Sequence, residues 1–206
     1  GGRPAECPPH FVAVGRLVDK KAPLKTILAF SKALNACPEA TLTIVGDGPL
    51  RNKAESLIQQ LGIANSVRLA GAQEHAFCAA EIRTARAFLQ HSVTADSGDI
   101  EGLPNSLLEA AATGVPAVTT RHSGIPEAVI HEETGFLVDE HDVEGMARQI
   151  VVLANHPELA GHMGKQAREL MLSQIERKTC MRLIADAYVA TMSPVPERDT
   201  SGFSSV

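Results

Sequence analysis

The sequence predicts an α/β fold in which a doubly wound, six-stranded and mostly parallel sheet carries helices on both faces, with extra helices at the C-terminal end. Two observations carry this expectation. Short apolar runs alternate with longer amphipathic ones, which is the pattern of repeated β-α units. A hydrophobic fraction of 44% over 206 residues supplies the core of one ordinary domain, and no internal repeat interrupts the pattern.

Taken in order, Gly1 to Pro9 is rich in Gly and Pro without periodicity and reads as a flexible tail. Strands are expected at His10 to Val14, Thr41 to Val45, Ser66 to Ala70, Arg86 to Gln90, Val115 to Thr119 and Gly135 to Val138. Between the first two, Leu24, Ile27, Leu28 and Leu34 share one helical face, and Lys53 to Leu61 reads as a second helix. Val143, Met146, Ala147, Ile150, Val151 and Ala154 follow the helical spacing closely. Pro157 suits the first turn of a further helix, Glu176 to Ala190 reads as another, and residues 191–206 read as a second flexible tail. The domain proper is thus expected over 10–190. In such a sheet the ligand crevice lies at the carboxyl ends of the strands, where strand order reverses.

Composition narrows the function. The formal net charge is -5 with both signs mixed along the chain, so no basic stripe is available for a nucleic-acid backbone or an anionic membrane. No apolar run approaches the roughly 20 residues that span a bilayer. Neither a signal peptide nor an initiator Met is present, which suits a piece of something longer. Cys7, Cys37, Cys78 and Cys180 lie far apart, with no C-x-x-C spacing, and read as reduced thiols rather than as disulfides or metal ligands.

Function in this fold class belongs to the loops that follow the strands. Gly15 to Lys21 follows the first strand, and its Arg16 and Lys21 beside a helix N-terminus form an anion site suited to a diphosphate, unless they are a solvated charge cluster. Gly46-Asp47-Gly48-Pro49 lacks the third glycine of a dinucleotide fingerprint and reads as a tight turn with Pro49 at the first helical position. In the loop from Gly71 to Gln73 the backbone has the polarity to meet the edge of a base, although the signal is weak.

The strongest segment runs from Asp99 to Gly114 and contains Glu101-Gly102-Leu103-Pro104-Asn105-Ser106-Leu107-Leu108-Glu109. With Pro104 as first helical residue and Gly114 as stop, a helix of about ten residues begins at the crevice mouth. Leu103 offers no capping oxygen, so the amides of Asn105, Ser106 and Leu107 are left open to an anion. A second reading stays open: Ser106 to Glu109 matches the S-x-x-E capping box, which would start the helix at Leu107 and seal it. The loop from Arg121 to Glu127 is expected to close the same mouth.

Taken together, these segments resemble the C-terminal, nucleotide-sugar-binding domain of the family 4 retaining glycosyltransferases (glycosyl transferases group 1), which have the two-domain GT-B fold with Rossmann-like halves. The resemblance runs from about His10 to Tyr188. It rests on the E-x7-E signature Glu101 to Glu109 in the context E-G-L-P-N-S-L-L-E-A, and on Gly15-Arg16-Leu17 with Lys21, Ile44 to Pro49, and Gly135 to Val138.

The resemblance implies that Arg16, Lys21 and the amides of Asn105 and Ser106 bind the donor diphosphate and that Glu109 binds the ribose. It places Ala72 and Gln73 at the base, Gly102, Leu103 and Pro104 around the donor sugar, and Glu101 as the catalytic residue near the anomeric centre. It implies no cofactor and no metal, the substrate being a nucleotide-diphosphate sugar, so Asp96 to Asp99 is not entered as a metal site. It also implies an acceptor domain N-terminal to this chain, an isolated piece that transfers nothing, and a cytoplasmic location with membrane attachment only through that other domain. Polysaccharide or glycolipid assembly is the expected setting. The alternatives are a GT-B sugar-nucleotide epimerase and a non-catalytic carbohydrate-assembly module. Two departures from the family pattern, Ala22 and Ser123 where Gly is common, are expected to narrow the sugar pocket. His75, His91, His122 and His131 read as surface or loop residues.

Overall fold

The computed structural model describes residues 3–191, with the backbone alone at 175–180 and 183–191. Six strands, β1 (His10–Val14), β2 (Thr41–Val45), β3 (Val67–Gly71), β4 (Ala87–Gln90), β5 (Ala117–Thr120) and β6 (Gly135–Val138), pair in the order β3-β2-β1-β4-β5-β6. All five pairings are parallel. The chain builds outward from β1 to one side and then returns to build outward from β4, so the order reverses between β1 and β4. That is the switch point, and it is where the carboxyl-end crevice belongs.

Each strand sits within two residues of its expected start. At β5 the ladder begins at Ala117 rather than Val115, because Pro116 has no N–H to give it, although its carbonyl accepts from Phe88 N. Alternation along the strands splits the core between two layers. Phe11, Leu42 and Leu89 face the side covered by α1 (Pro23–Ala33), α2 (Arg51–Gln60) and α6 (Val143–Asn155), where Phe11 and Phe30 meet edge-on at 6.1 Å. Val12 and Phe88 face the side of α3 (His75–Arg83), α4 (Asn105–Thr113) and the short α5 (Ile125–Ala128), with Leu107 and Ile125.

Several expectations need correction. Arg3 to Pro9 is not a free tail: Pro4–Glu6 forms a 3-10 turn with Pro4 buried. The guanidinium of Arg86, itself buried, donates to the carbonyls of Pro4, Cys7, Leu153 and Ala154. The expected strand begins one residue later, at Ala87, although Arg86 N still donates to His10 O. Pro157–Thr191 is one helix, α7, where two were expected, since no Gly or Pro lies between Lys165 and Thr191 to break it. The compact unit holding the sheet is Gly1–Leu172, and Ser173–Val206 forms a second unit. The expected C-terminal tail after Thr191 lies outside the described residues. Among the described residues, no helix is long and apolar enough to cross a membrane.

The carboxyl edge is stitched by its own loops. Gly15 N donates to Val45 O, Gly46 N to Gly71 O and Leu17 N to Asp47 O. Gly46 has φ +137°, and a Cβ there would strike the carbonyl oxygen of Gly15. The Gly46-Asp47-Gly48 turn is therefore structural, as read. Pro49 does not open the helix, because Leu50 N is drawn to Leu17 O and the first helical residue is Arg51.

Candidate functional site

A cleft of about 510 Å³ opens at the switch point, lined by Val14, Gly15, Lys21, Gln73, His75, Cys78, Glu101, Leu103, Pro104, Asn105, Ser106 and Glu109. Eight of the expected site residues thus share one cavity, although they come from the loops after β1, β3 and β4 and from α4. Arg16, Ala72 and Gly102 do not line it. Arg16 is exposed and borders a smaller recess of about 30 Å³ that it shares with Gly15 and Lys21.

The start of α4 decides between the two readings of its sequence. Asn105 is the first helical residue and Pro104 stands one place before it in extended conformation, so Pro104 caps rather than opens the helix. Having neither a side-chain acceptor nor an N–H, Pro104 leaves this end without a side-chain cap. Ser106 does not seal it: its hydroxyl donates to Val14 O at 2.9 Å, which ties α4 to the end of β1 and excludes the capping box. Leu107 N, expected to be open, bonds to Pro104 O at 3.1 Å. Asn105 and Ser106 therefore carry the amides left without a partner among the described residues. No acidic side chain stands in the first turn of α4, so its positive end is uncompensated.

Two carboxylates and one ammonium face this end. Lys21 Nζ lies 3.1 Å from Glu101 Oε2, both side chains being largely buried. The approach lacks hydrogen-bond alignment, so that oxygen keeps no hydrogen-bond partner among the described residues. Glu109 lies one helical turn and a little more into α4, with His75 Nε2 3.5 Å away. Burial, reinforced by Glu109, pushes the Cys78 thiol up, so it sits in the cleft wall as an uncharged group. Gln73 is partly committed, its side-chain amide donating to Ala70 O at 2.7 Å. Asp99, from the acidic segment, is held by Lys20 at 3.2 Å.

Sequence reasoning missed His75 and Cys78, whose position at the start of α3 puts them on the same edge. His122 and His91, read as surface or loop residues, do lie in loops, after β5 and β4, but both are buried. His122 is 2% exposed and bonds to Glu101 and to Glu140 (a partly exposed residue just past β6).

The two departures at glycine positions act on the backbone. Ala22 and Ser123 have φ +36° and +47°, the left-handed region where a side chain is strained, and neither lines the cleft. Their cost is conformational, not a narrower pocket. The loop after β5, expected to close the mouth, brings Gly124 close to Leu103 of the cleft wall but does not itself line the cleft. Cys7, Cys37 and Cys78 are free thiols.

Comparison with known proteins identifies the family and the fold. Residues 3–170 match the family described as glycosyl transferases group 1. The chain is 34% identical to an amylovoran biosynthesis glycosyltransferase of Erwinia amylovora, over 71% of this chain and 36% of that protein. It is 31% identical to a GDP-mannose-dependent alpha-(1-6)-phosphatidylinositol monomannoside mannosyltransferase of Mycobacterium tuberculosis, over 86% of this chain and 46% of the relative. It therefore spans less than half the length of either. Among solved structures, a mutant form of S. aureus TarM in complex with UDP, fondaparinux and alpha-GlcNAc-glycerol superposes with a TM-score of 0.79 at 19% identity, over 90% of this chain and 37% of that one. On the strength of the matched family and of relatives above 30% identity, this chain belongs to the glycosyl transferases group 1 family.

Proposed function

We propose that this chain is the donor-binding half of a retaining glycosyltransferase, which moves a sugar from a nucleotide-diphosphate donor to an acceptor in polysaccharide or glycolipid assembly. The observation that carries the reading is the open start of α4, with two free amides, facing Lys21 and two carboxylates across one cleft. As the glycosidic bond breaks, the departing nucleoside diphosphate gains negative charge. The amides of Asn105 and Ser106 and the ammonium of Lys21 are fixed donors that stabilise it where it forms, with Arg16 at the edge of the neighbouring recess. Such preorganised groups need no metal to neutralise the leaving group.

Glu109, further into the helix, is suited to accept hydrogen bonds from ribose hydroxyls. Glu101 lines the cleft beside Leu103 and Pro104, where its carboxylate would meet the donor sugar. Gln73 lines the side of the cleft where the base would go, with Ala72 next to it in the chain but outside the lining. The acceptor and the remainder of the reaction centre belong to a further domain facing this cleft, so this chain alone binds donor without transferring sugar. A relative named for GDP-mannose and a structural neighbour holding UDP support a nucleoside diphosphate as the shared chemistry.

The test is a calorimetric titration of this chain with UDP, GDP, ADP and dTDP. Binding of at least one, weakened by Lys21→Gln, is the expected result. Binding of none, in a chain that unfolds cooperatively, overturns the reading.

A further inference from the structure

We propose that His122, oriented by Glu140, is a positioning residue that fixes Glu101 and the segment leading into α4; the role of Glu101 at the donor sugar rests on the reading above. The pair is built by the sheet. Thr120 and Val138 are opposite each other in the parallel register of β5 and β6, and His122 and Glu140 lie two residues beyond them on each side. Their side chains meet at 2.5 Å, His122 Nδ1 to Glu140 Oε1.

Both imidazole nitrogens are spent. Glu101 N lies 3.1 Å from His122 Nε2, and since an amide only donates, Nε2 is the bare acceptor. The proton therefore sits on Nδ1 and is donated to Glu140. The second oxygen of Glu140, Oε2, accepts from Thr94 N at 2.9 Å. One His–Glu pair thus grips both ends of the segment Thr94 to Glu101, most of whose residues are exposed and which reaches the cleft wall at Glu101.

The outer side of that segment is held by Lys20, which donates to Asp99 Oδ1 and Ile100 O. Burial pushes the Glu140 carboxyl up, but the bonds from His122 and Thr94 outweigh it and hold the group below its usual value, so a full negative charge remains to orient the ring.

This arrangement matters because the Glu101 side chain has little else to place it. Its buried Oε2 has only the charge of Lys21 beside it, and a bound diphosphate would compete for that charge. What remains is the backbone bond to His122. That bond joins distant segments, residue 101 lying 21 positions before His122 in the chain.

The experiment compares His122→Phe, which removes the acceptor, with His122→Gln, whose amide oxygen reaches about where Nε2 stands. Without ligand, nitrogen NMR of the wild-type imidazoles is expected to show His122 as the neutral Nδ1–H tautomer. Hydrogen exchange at Glu101 N is expected to rise at least about tenfold in His122→Phe and to return to within about threefold in His122→Gln, with the amides of β1 unchanged. With ligand, the matched probes are UDP against UDP-glucose and GDP against GDP-mannose. His122→Phe is expected to weaken the nucleotide sugar at least about tenfold and the matching diphosphate less than about twofold, with recovery in His122→Gln. An Nε2–H tautomer, unchanged exchange at Glu101, or equal loss on both partners of a matched pair overturns the proposal. A wild-type chain that binds none of the four, nor ADP or dTDP, overturns the donor-site reading instead, and the tautomer and exchange results then decide the clamp on their own.

Discussion

Two helix starts on the same edge of the sheet are finished in opposite ways. At α6, Asp142 Oδ1 accepts from Gly145 N at 2.7 Å, His91 Nε2 accepts from His141 N at 3.0 Å, and Glu144 adds an acidic group in the first turn. At α4, Pro104 offers nothing, Ser106 spends its hydroxyl on β1, and no acid stands in the first turn. Lack of a side-chain cap is not peculiar to α4, since α1, α2 and α3 have none either. What sets α4 apart is that its open amides lie at the strand-order switch beside Lys21, whereas α6 follows the outermost strand. The α6 start is closed by the protein's own groups, whereas the α4 start keeps its positive end open to the cleft beside Lys21.

The largest expected effect breaks the sealed end. Burial, with Lys25 and His141 nearby, pushes His91 down from 6.5 to about 4. Between those values the unfolded chain binds a proton that the folded chain refuses, so stability falls as pH drops from about 6.5 toward 4. The loss from this one group approaches about 3 kcal/mol. Urea unfolding at a series of pH values is expected to show that slope in the wild type and its flattening in His91→Gln, which keeps an acceptor without titrating. Equal slopes would remove His91 from the account.

At the open end, Lys21→Gln is expected to weaken nucleoside diphosphate binding about 10- to 100-fold while leaving the unfolding midpoint nearly unchanged. A loss of stability without a loss of affinity would make Lys21 a structural partner of Glu101 rather than a ligand group.

A smaller exchange between the two ends sharpens the contrast. Asp142→Ala removes the α6 cap and is expected to cost about 1 kcal/mol with no change in affinity. Pro104→Ser gives α4 a capping hydroxyl, and is expected to weaken diphosphate binding several-fold without a comparable loss of stability. If both variants changed affinity alike, the two helix starts would not differ in function.

The smallest effect concerns the backbone beside the open end. Ala22→Gly and Ser123→Gly relieve left-handed strain of about 1–2 kcal/mol, offset in part by the freedom Gly adds to the unfolded chain. Each is expected to raise stability by about 0.5–1 kcal/mol in thermal unfolding. A pocket effect, by contrast, would appear as a change in nucleotide-sugar affinity.

Much of this was legible in the linear chain, and for identifiable reasons. The strands are short apolar runs whose neighbours are polar, so their limits shifted by at most two residues, and where β5 shifted the cause was the missing N–H of Pro116. The cleft could be anticipated because parallel β-α units send every loop after a strand to one edge. Lys21, Glu101, Asn105, Ser106 and Glu109 could therefore be nominated from loop position and residue type. Arg16 could not be placed by the same argument, since an exposed side chain on a shared loop has no partner in the sequence to fix its direction.

Sequence by itself determined the fold, because alternating apolar periods leave a doubly wound sheet as the economical way to bury them, and it determined which loops line the cleft. Tertiary structure alone decided where α4 starts, at Asn105 and so at neither start the sequence offers, with the hydroxyl of Ser106 spent on the carbonyl of Val14 rather than on its own helix. It alone joined His122 to Glu140, residues 18 apart that meet only when β5 and β6 pair in register. The division has one physical cause: periodicity and turn chemistry are local and written along the chain, whereas the partner of a polar group depends on which distant segment folding brings within hydrogen-bond reach.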